Sequence, residues 1–172
     1  MPLVWVTGNS GAGKSAVCAL LKDRGEHAVD ADKEGYHQWA DRTSGQVVTD
    51  PPDPVPAGWL DRFGWRIDRT KVEALAAGAR DEIAFFCGCP ENAGDVADLF
   101  DLVVCLVIDD DTLRHRLLTR TTNSFGKHPE ELAAALDVNA YRHPGGTIID
   151  GTRPLPEVAD AILTTAHRLA PP

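Results

Sequence analysis

The chain is short of basic residues. Across 172 residues, 17 lysines and arginines stand against 26 acids, a formal charge of −9. Nucleic-acid backbones are held by clustered cations that displace counterions, so this balance argues against a broad nucleic-acid footprint and leaves room only for a local basic cleft. Long apolar runs are also missing. None approaches the roughly 18 to 20 residues that a membrane-spanning helix needs, so no membrane segment is expected. No basic start and apolar stretch of a secretory leader precedes the first strand-like run, and a cytoplasmic protein is the expectation. Cysteine is sparse and unpatterned: Cys18, Cys87, Cys89 and Cys105 form no Cys-x-x-Cys pair and fall in core-like segments. That spacing speaks against a zinc site and for buried free thiols in a reducing compartment. Internal repeats and low-complexity tracts are absent. The length suits one well-cored domain, residues 1–172, acting as a monomer or a small homo-oligomer.

Glycine is placed rather than abundant. Gly8-Asn9-Ser10-Gly11-Ala12-Gly13-Lys14-Ser15 matches G-x-x-x-x-G-K-[ST] close to the N-terminus. Glycines there let successive backbone N–H groups turn inward around phosphate oxygens. Lys14 supplies a mobile cation for the β- and γ-phosphates, and the Ser15 hydroxyl is suited to ligate Mg²⁺. The context agrees: Leu3 to Val6 is a short apolar strand-like run, and Lys14 to Arg24 reads as a helix whose N-terminus, with Ala16 in its first turn, faces the phosphates.

Strand-like runs recur at Leu3 to Val6, His27 to Asp30, Ile83 to Cys87, Leu102 to Ile108 and Thr147 to Asp150, with helical or mixed segments between them. This alternation predicts an α/β fold on a parallel sheet. The run from Leu102 to Ile108 is apolar throughout, as expected of a central strand covered on both faces. Residues 33–70 read as an irregular insertion, with Pro51-Pro52-Asp53-Pro54-Val55-Pro56 at its middle and Trp39, Trp59 and Trp65 around it. Thr70 to Ala79 reads as a helix with a capping box from Thr70 to Glu73. Asp111 to Thr119 reads as another, followed by a polar loop over residues 120–128 and a helix opened by Pro129. The last helix, from about Pro156 to Leu169, carries Val158, Ile162, Ala166 and Leu169 on one face, and Pro171 and Pro172 read as a loose tail.

Two further pairs suit phosphoryl chemistry. Asp30 and Asp32 close the second strand-like run, at the sheet edge where open α/β folds bind ligands. One carboxylate can hold the metal's water shell while the other orients or deprotonates an acceptor. Arg116 and Arg120 lie four apart on the helix that feeds the polar loop, so both point towards its base, where guanidinium groups stabilise spreading phosphoryl charge; Lys127 at the loop's far end is a third candidate cation.

Taken in order, Gly8-x-x-Gly11-x-Gly13-Lys14-Ser15, Asp30-x-Asp32 and Arg116-x₃-Arg120 before a short lid-like loop resemble the small P-loop kinases, the group containing shikimate kinase, adenylate kinase and dephospho-CoA kinase. The resemblance covers most of the chain and implies a three-layer P-loop NTPase fold, with a five-stranded parallel sheet flanked by helices. It implies that Asp30 sits near Mg²⁺, that Asp32 contacts the acceptor hydroxyl, and that Arg116 and Arg120 contact phosphates. The turn Asp150-Gly151-Thr152-Arg153-Pro154-Leu155 resembles the segment that lies against the adenine, which brings in Arg153 and Pro154. The chain departs from the pattern after the third strand: Phe85-Phe86-Cys87-Gly88-Cys89-Pro90-Glu91-Asn92 has no acid where a Walker B residue often stands and no Gly-Gly-Gly as in shikimate kinase. There is no Asn-Lys-x-Asp guanine reader either. Candidate acceptor contacts are Asp32, Arg42, Arg62, Arg66, Gly88 and Asn92, with the tryptophans of the insertion beside them. The expectation is an ATP- and Mg²⁺-dependent kinase acting on a small metabolite, nucleoside or nucleotide. The alternatives are a nucleotide-binding regulatory ATPase module that acts through a protein partner, and a nucleic-acid 5′-end kinase, for which the acidic chain offers little material.

Overall fold

The computed structural model describes residues 2–53, 55–78 and 83–169. In chain order the elements are β1 (Leu3–Gly8), α1 (Lys14–Asp23), β2 (His27–Asp30), β3 (His37–Asp41), α2 (Trp59–Arg62), β4 (Phe63–Ile67), α3 (Arg69–Gly78), β5 (Ala84–Cys87), β6 (Leu102–Val107), α4 (Asp110–Thr119), α5 (Pro129–Asp137), β7 (Thr147–Asp150) and α6 (Leu155–Ala166). The main sheet runs β2-β5-β1-β6-β7, with every neighbouring pair parallel. β1 is its middle strand, with Val6 level with Cys87 on one side and Val104 on the other.

Alternation along β1 shows why the sheet needs cover on both faces. Val4 and Val6 pack on one side with Val17 and Leu21 of α1 and Val158 and Ile162 of α6. Leu3 and Trp5 pack on the other with Phe86, Val72 of α3 and Val96. A strand places successive side chains on opposite faces, so a wholly apolar strand serves two cores at once. Trp5, Phe85 and Phe86 are completely buried, and burial of each such ring contributes roughly 1.5–3 kcal/mol. α4 and α5 make a smaller third cluster through Leu113, Leu117 and Ala135 beside Ile108. The result is the three-layer α/β/α arrangement expected from the sequence, with β6 an interior strand between β1 and β7.

Several local expectations need correction. Residues 33–70 are not irregular throughout: β3 and β4 pair antiparallel as a separate two-stranded sheet, with Trp39 opposite Trp65. The prolines are compatible with this because they lie in the connection between the strands, where no ladder hydrogen bond is lost; Pro54 itself lies outside the described residues. α3 begins one residue before Thr70, and the Thr70 N–H donates to the Asp68 carboxylate at 3.0 Å, so Asp68 takes the capping role assigned to Thr70. Glu73 pairs instead with Arg69 at 2.8 Å. Ala79, like Pro171 and Pro172, lies outside the described residues. Cys18, Cys87 and Cys105 are buried free thiols, but Cys89 is exposed because it follows the end of β5. No described helix is long and apolar enough to cross a membrane.

Candidate active site

The carboxyl ends of β1, β2, β5 and β7 gather the predicted residues. Gly8 ends β1, Asp30 ends β2, Gly88 follows β5 and Gly151 follows β7. In the loop after β1, Gly8, Gly11 and Gly13 have φ of 147°, 86° and 105°. Gly8 also has a steric reason to lack a side chain: a Cβ there would stand 2.5 Å from the Leu106 carbonyl oxygen. Gly13 caps α1 in the left-handed conformation, and no side chain caps that helix. α4, by contrast, is capped by Asp109, which accepts from the Thr112 N–H at 2.7 Å. The free N–H groups of α1's first turn, beside Ser15 and Ala16, therefore remain open to an anion.

Lys14 is folded back on its own loop, its Nζ donating to the carbonyls of Gly8 at 2.8 Å and Asn9 at 2.9 Å. These bonds hold the buried ammonium where an incoming phosphate oxygen can replace a carbonyl. Asn9 accepts from the Ser10 N–H at 2.7 Å and donates to the Ala135 carbonyl at 2.7 Å and to Asn139 at 3.1 Å, so the loop is anchored to the end of α5.

The two arginines have different posts. Arg116 donates through Nη1 to the Gly11 carbonyl at 3.2 Å and through Nη2 to Gly151 at 3.0 Å, bracing the phosphate loop against the β7–α6 turn. Arg120 donates through Nη2 to the Ser10 hydroxyl at 3.2 Å and to the Phe125 carbonyl at 2.6 Å, which ties the loop over 120–128 to the phosphate loop. Its Nε–H is buried and has no partner among the described residues. Burial pulls this guanidinium below its ordinary pKa, while the nearby charges of Asp32 and Glu131 oppose the shift. An unpaired buried cationic donor is costly, and an anion satisfies it.

Asp30 is buried, and its Oδ1 accepts from the backbone N–H groups of Asp32 at 3.2 Å and Lys33 at 3.3 Å. Its Oδ2 is buried without a hydrogen bond among the described residues, the Lys33 ammonium standing 3.7 Å away. Among the described residues, Asp32 is engaged through one oxygen only. Its Oδ1 lies 2.5 Å from His37 Nδ1 and accepts from Trp65 Nε1 at 2.9 Å. Burial pushes this carboxyl up, but the hydrogen bonds from His37 and Trp65 and the Lys14 ammonium act the other way, and the pKa is held at about 2. His37 was not singled out from the sequence, and Trp65 only as one aromatic among several. A histidine five residues after the second Asp is a weak signal, and the contact depends on β3 folding back beneath the end of β2.

The remaining candidates are largely occupied. Arg42 grips the Glu91 carboxylate, with Nη2 to Oε2 at 2.6 Å, and also donates to the Leu60 carbonyl. Arg62 pairs with Asp41 at 2.7 Å, and Arg66 with Asp95 at 3.1 Å. Asn92 accepts from the Ile67 N–H at 2.8 Å and donates to the Ile67 carbonyl at 3.1 Å, fastening β4 to the segment after β5. Gly88 lies under the Asp32 region: a Cβ there would meet Ala31 Cβ at 2.7 Å and His37 Cε1 at 2.8 Å. Arg153 pairs with Glu157 at 2.7 Å, and Pro154 caps α6. Trp39, Trp65, Trp59 and Phe63 form a continuous aromatic surface on the insertion, with centroids 4.1 to 6.1 Å apart. Asp53 of the insertion accepts from the Ser124 hydroxyl at 3.0 Å, so the insertion and the loop over 120–128 touch. A separate open cleft of 570 Å³, lined by His27, Glu34, Tyr36, Lys71 and Leu75 among others, contains none of the predicted site residues.

The donor set suits Mg²⁺ bound together with a nucleotide. No cluster of three or more His, Cys, Asp or Glu that could hold a metal alone occurs among the described residues. Mg²⁺ commonly needs only one or two protein oxygens beside substrate phosphates and water. Asp30 Oδ2 is an orphaned buried acceptor, and the half-buried Ser15 hydroxyl makes no hydrogen bond among the described residues. Both are available.

No family model matches the chain, and no curated protein matches it significantly. Solved structures do. A gluconokinase from Sinorhizobium meliloti 1021 is 21% identical, with a TM-score of 0.58 over 98% of this chain and 93% of that one. A shikimate kinase from Acinetobacter baumannii in complex with shikimate is 18% identical, with a TM-score of 0.60 over 99% of this chain and 96% of that one. A deoxyadenosine kinase from M. mycoides with bound dATP is 15% identical, with a TM-score of 0.55 over 96% of this chain and 99% of that one. The likeness spans nearly the whole of each chain and shows the fold to be that of the small P-loop kinases.

Proposed function

We propose that this chain is an ATP-dependent phosphotransferase that moves the γ-phosphoryl group of ATP to a small-molecule acceptor. The observation that carries the proposal is the coexistence, at one sheet edge, of an open phosphate loop and an ionised carboxylate, Asp32, within electrostatic reach of both Lys14 and Arg120. An acid so placed suits transfer to an acceptor better than nucleotide holding alone. The fold shared with sugar, shikimate and nucleoside kinases supports the same reading.

In this reading the backbone of Asn9 to Ser15 cradles the β-phosphate, Lys14 leaves its carbonyl partners for the β- and γ-phosphates, and Arg153 and Pro154 border the base. Arg120 offers its unpaired Nε–H to the transferring group, while Arg116 chiefly keeps the loop in shape for it. Ser15 and Asp30 are the residues that would hold Mg²⁺, which when bound neutralises phosphate charge. Asp32 has a pKa of about 2, well below the value that suits a strong general base at neutral pH. Its role is to orient the acceptor hydroxyl and take the proton late, which suits the loose transition state of phosphoryl transfer. We place the acceptor between Asp32 and the insertion over 33–70, with the loop over 120–128 as a lid that meets the insertion at Asp53 and Ser124. Arg42, Arg62 and Arg66 reach an anionic acceptor only by exchanging their present carboxylate partners. ATP use and buried free thiols fit a cytoplasmic setting.

The test is coupled ATP turnover with a panel containing D-gluconate, shikimate, deoxyadenosine and related sugar acids, polyols and nucleosides. At least one class is expected to raise turnover about tenfold or more above the basal rate, equivalent to about 1.4 kcal/mol of barrier. If none does and a protein partner binds in a nucleotide-dependent way, the chain is a regulatory ATPase. The absence of an acid at the end of β5, where Cys87 and Gly88 stand, is the feature that favours that second reading.

A further inference from the structure

We infer that His37 is a positioning residue that fixes which oxygen of Asp32 meets the acceptor. The inference rests on the acceptor-side role proposed for Asp32. Three observations on the described residues carry it. The His37 side chain is completely buried, yet its Nε2 has no hydrogen-bond partner. Its Nδ1 lies 2.5 Å from Asp32 Oδ1, the same oxygen that receives the Trp65 indole N–H. The ring is seated on all sides: its backbone N–H donates to the Ala31 carbonyl at 3.2 Å, Gly88 leaves no room beyond Cε1, and the Trp65 ring stands 5.5 Å away at a tilt.

A residue that merely filled this space would be leucine or phenylalanine, because burying an unpaired ring nitrogen costs free energy that an apolar side chain avoids. What histidine adds is the Nδ1–H donor. With the proton on Nδ1 the ring donates to the carboxylate and leaves only a lone pair at the unpartnered Nε2, the less costly arrangement there. Two donors, both on rigid rings, then converge on Oδ1 and set the carboxylate's torsion. Oδ2 makes no hydrogen bond among the described residues and is the oxygen left for the acceptor hydroxyl. The pairing crosses from the loop after β2 to the first residue of β3, so the insertion that we place against the acceptor also aims the acid.

Three variants test this. H37L keeps most of the volume and removes the donor, whereas H37N places an amide nitrogen about where Nδ1 stands. With whichever of D-gluconate, shikimate or deoxyadenosine the wild type phosphorylates, H37L is expected to lower kcat by about 10- to 100-fold, the usual effect of a misplaced catalytic group. ATP affinity should stay within about threefold, a change too small for loss of a phosphate contact, and H37N should recover most of the lost kcat. Equal impairment of H37L and H37N, or no impairment of either, overturns the inference. A spectroscopic measurement decides it without any acceptor. In ¹⁵N-labelled wild type, His37 is expected as the Nδ1–H tautomer, with a slowly exchanging proton far downfield of ordinary imidazole N–H signals that is lost in D32A. An Nε2–H tautomer without that proton contradicts the inference. If no panel compound is phosphorylated but the downfield proton is present, the functional reading fails and the positioning geometry stands.

Discussion

Truncating Asn92 to alanine separates a structural role from a substrate role at a position that the sequence offered as a candidate acceptor contact. Its amide spans the backbone of Ile67 in both directions, accepting from the N–H at 2.8 Å and donating to the carbonyl at 3.1 Å. Ile67 is buried, so the N92A variant leaves a donor and an acceptor unsatisfied together. Each such group costs about 1–3 kcal/mol, and because Asn92 is itself only half-buried, water will relieve part of the loss; the net destabilisation is about 2–3 kcal/mol. Urea unfolding read by tryptophan fluorescence is the assay, since Trp39 and Trp65 lie on the sheet that Asn92 fastens and Trp59 packs against Trp39. N92D provides a control: it keeps an acceptor for the Ile67 N–H but sets a carboxylate against the Ile67 carbonyl, so it too is destabilised. A variant within about 0.5 kcal/mol of wild type, the ordinary range of a surface change, combined with a raised KM for the acceptor, would refute the reasoning and return Asn92 to the substrate.

Three other outcomes follow from the same geometry. G88A forces a methyl against Ala31 and His37 at 2.7 and 2.8 Å, so thermal unfolding should show a loss of about 1–3 kcal/mol from overpacking, with a larger fall in acceptor-dependent turnover than in ATP affinity. K14A removes the cation that now bonds Gly8 and Asn9, and isothermal titration should show nucleotide affinity weakened at least about tenfold, the worth of roughly one charge-assisted hydrogen bond. Asp41 has its pKa lowered by the Ser44 N–H, Arg62 and the Thr43 N–H. A depressed carboxylate stabilises the fold above its unfolded value of 3.8 and loses that contribution as pH falls through the folded value. Acid unfolding of D41N should therefore show a weaker dependence on pH below about 4 than the wild type, and an unchanged dependence would remove Asp41 from the account.

What was legible in the sequence was what depends on local pattern. The phosphate loop could be read from eight residues because its backbone conformation demands glycines, and the five parallel strands from apolar runs that two-sided burial requires. The starts of α1, α3, α4, α5 and α6 were legible to within a residue, helped by Pro129 and the apolar spacing, and Gly25 marks the end of α1; α6 ends at Ala166, three residues short of the expected Leu169. The β3–β4 sheet was hidden because its two strands are separated by a proline-rich connection, and antiparallel pairing over that distance leaves no local period. The His37–Asp32–Trp65 contact was hidden for the same reason, since it exists only once β3 returns beneath β2 and β4 pairs with β3. The capping of α3 was misassigned by two residues because Asp68 and Thr70 both carry oxygen suited to a cap, and only the chain path chooses between them. Arg42, Arg62 and Arg66 were selected on charge alone, and the structure pairs each with a carboxylate that no sequence spacing announces.

The central claim is that Asp32 and the phosphate loop belong to one transfer site. Its most direct measurement is incorporation of label from γ-labelled ATP into D-gluconate, shikimate or deoxyadenosine by wild type and D32N. The account predicts a labelled small-molecule product with wild type and none above background with D32N, while the affinity of D32N for a non-hydrolysable ATP analogue stays within a few-fold of wild type. Near-normal labelling by D32N, or release of inorganic phosphate alone by both proteins across the whole panel, would contradict it.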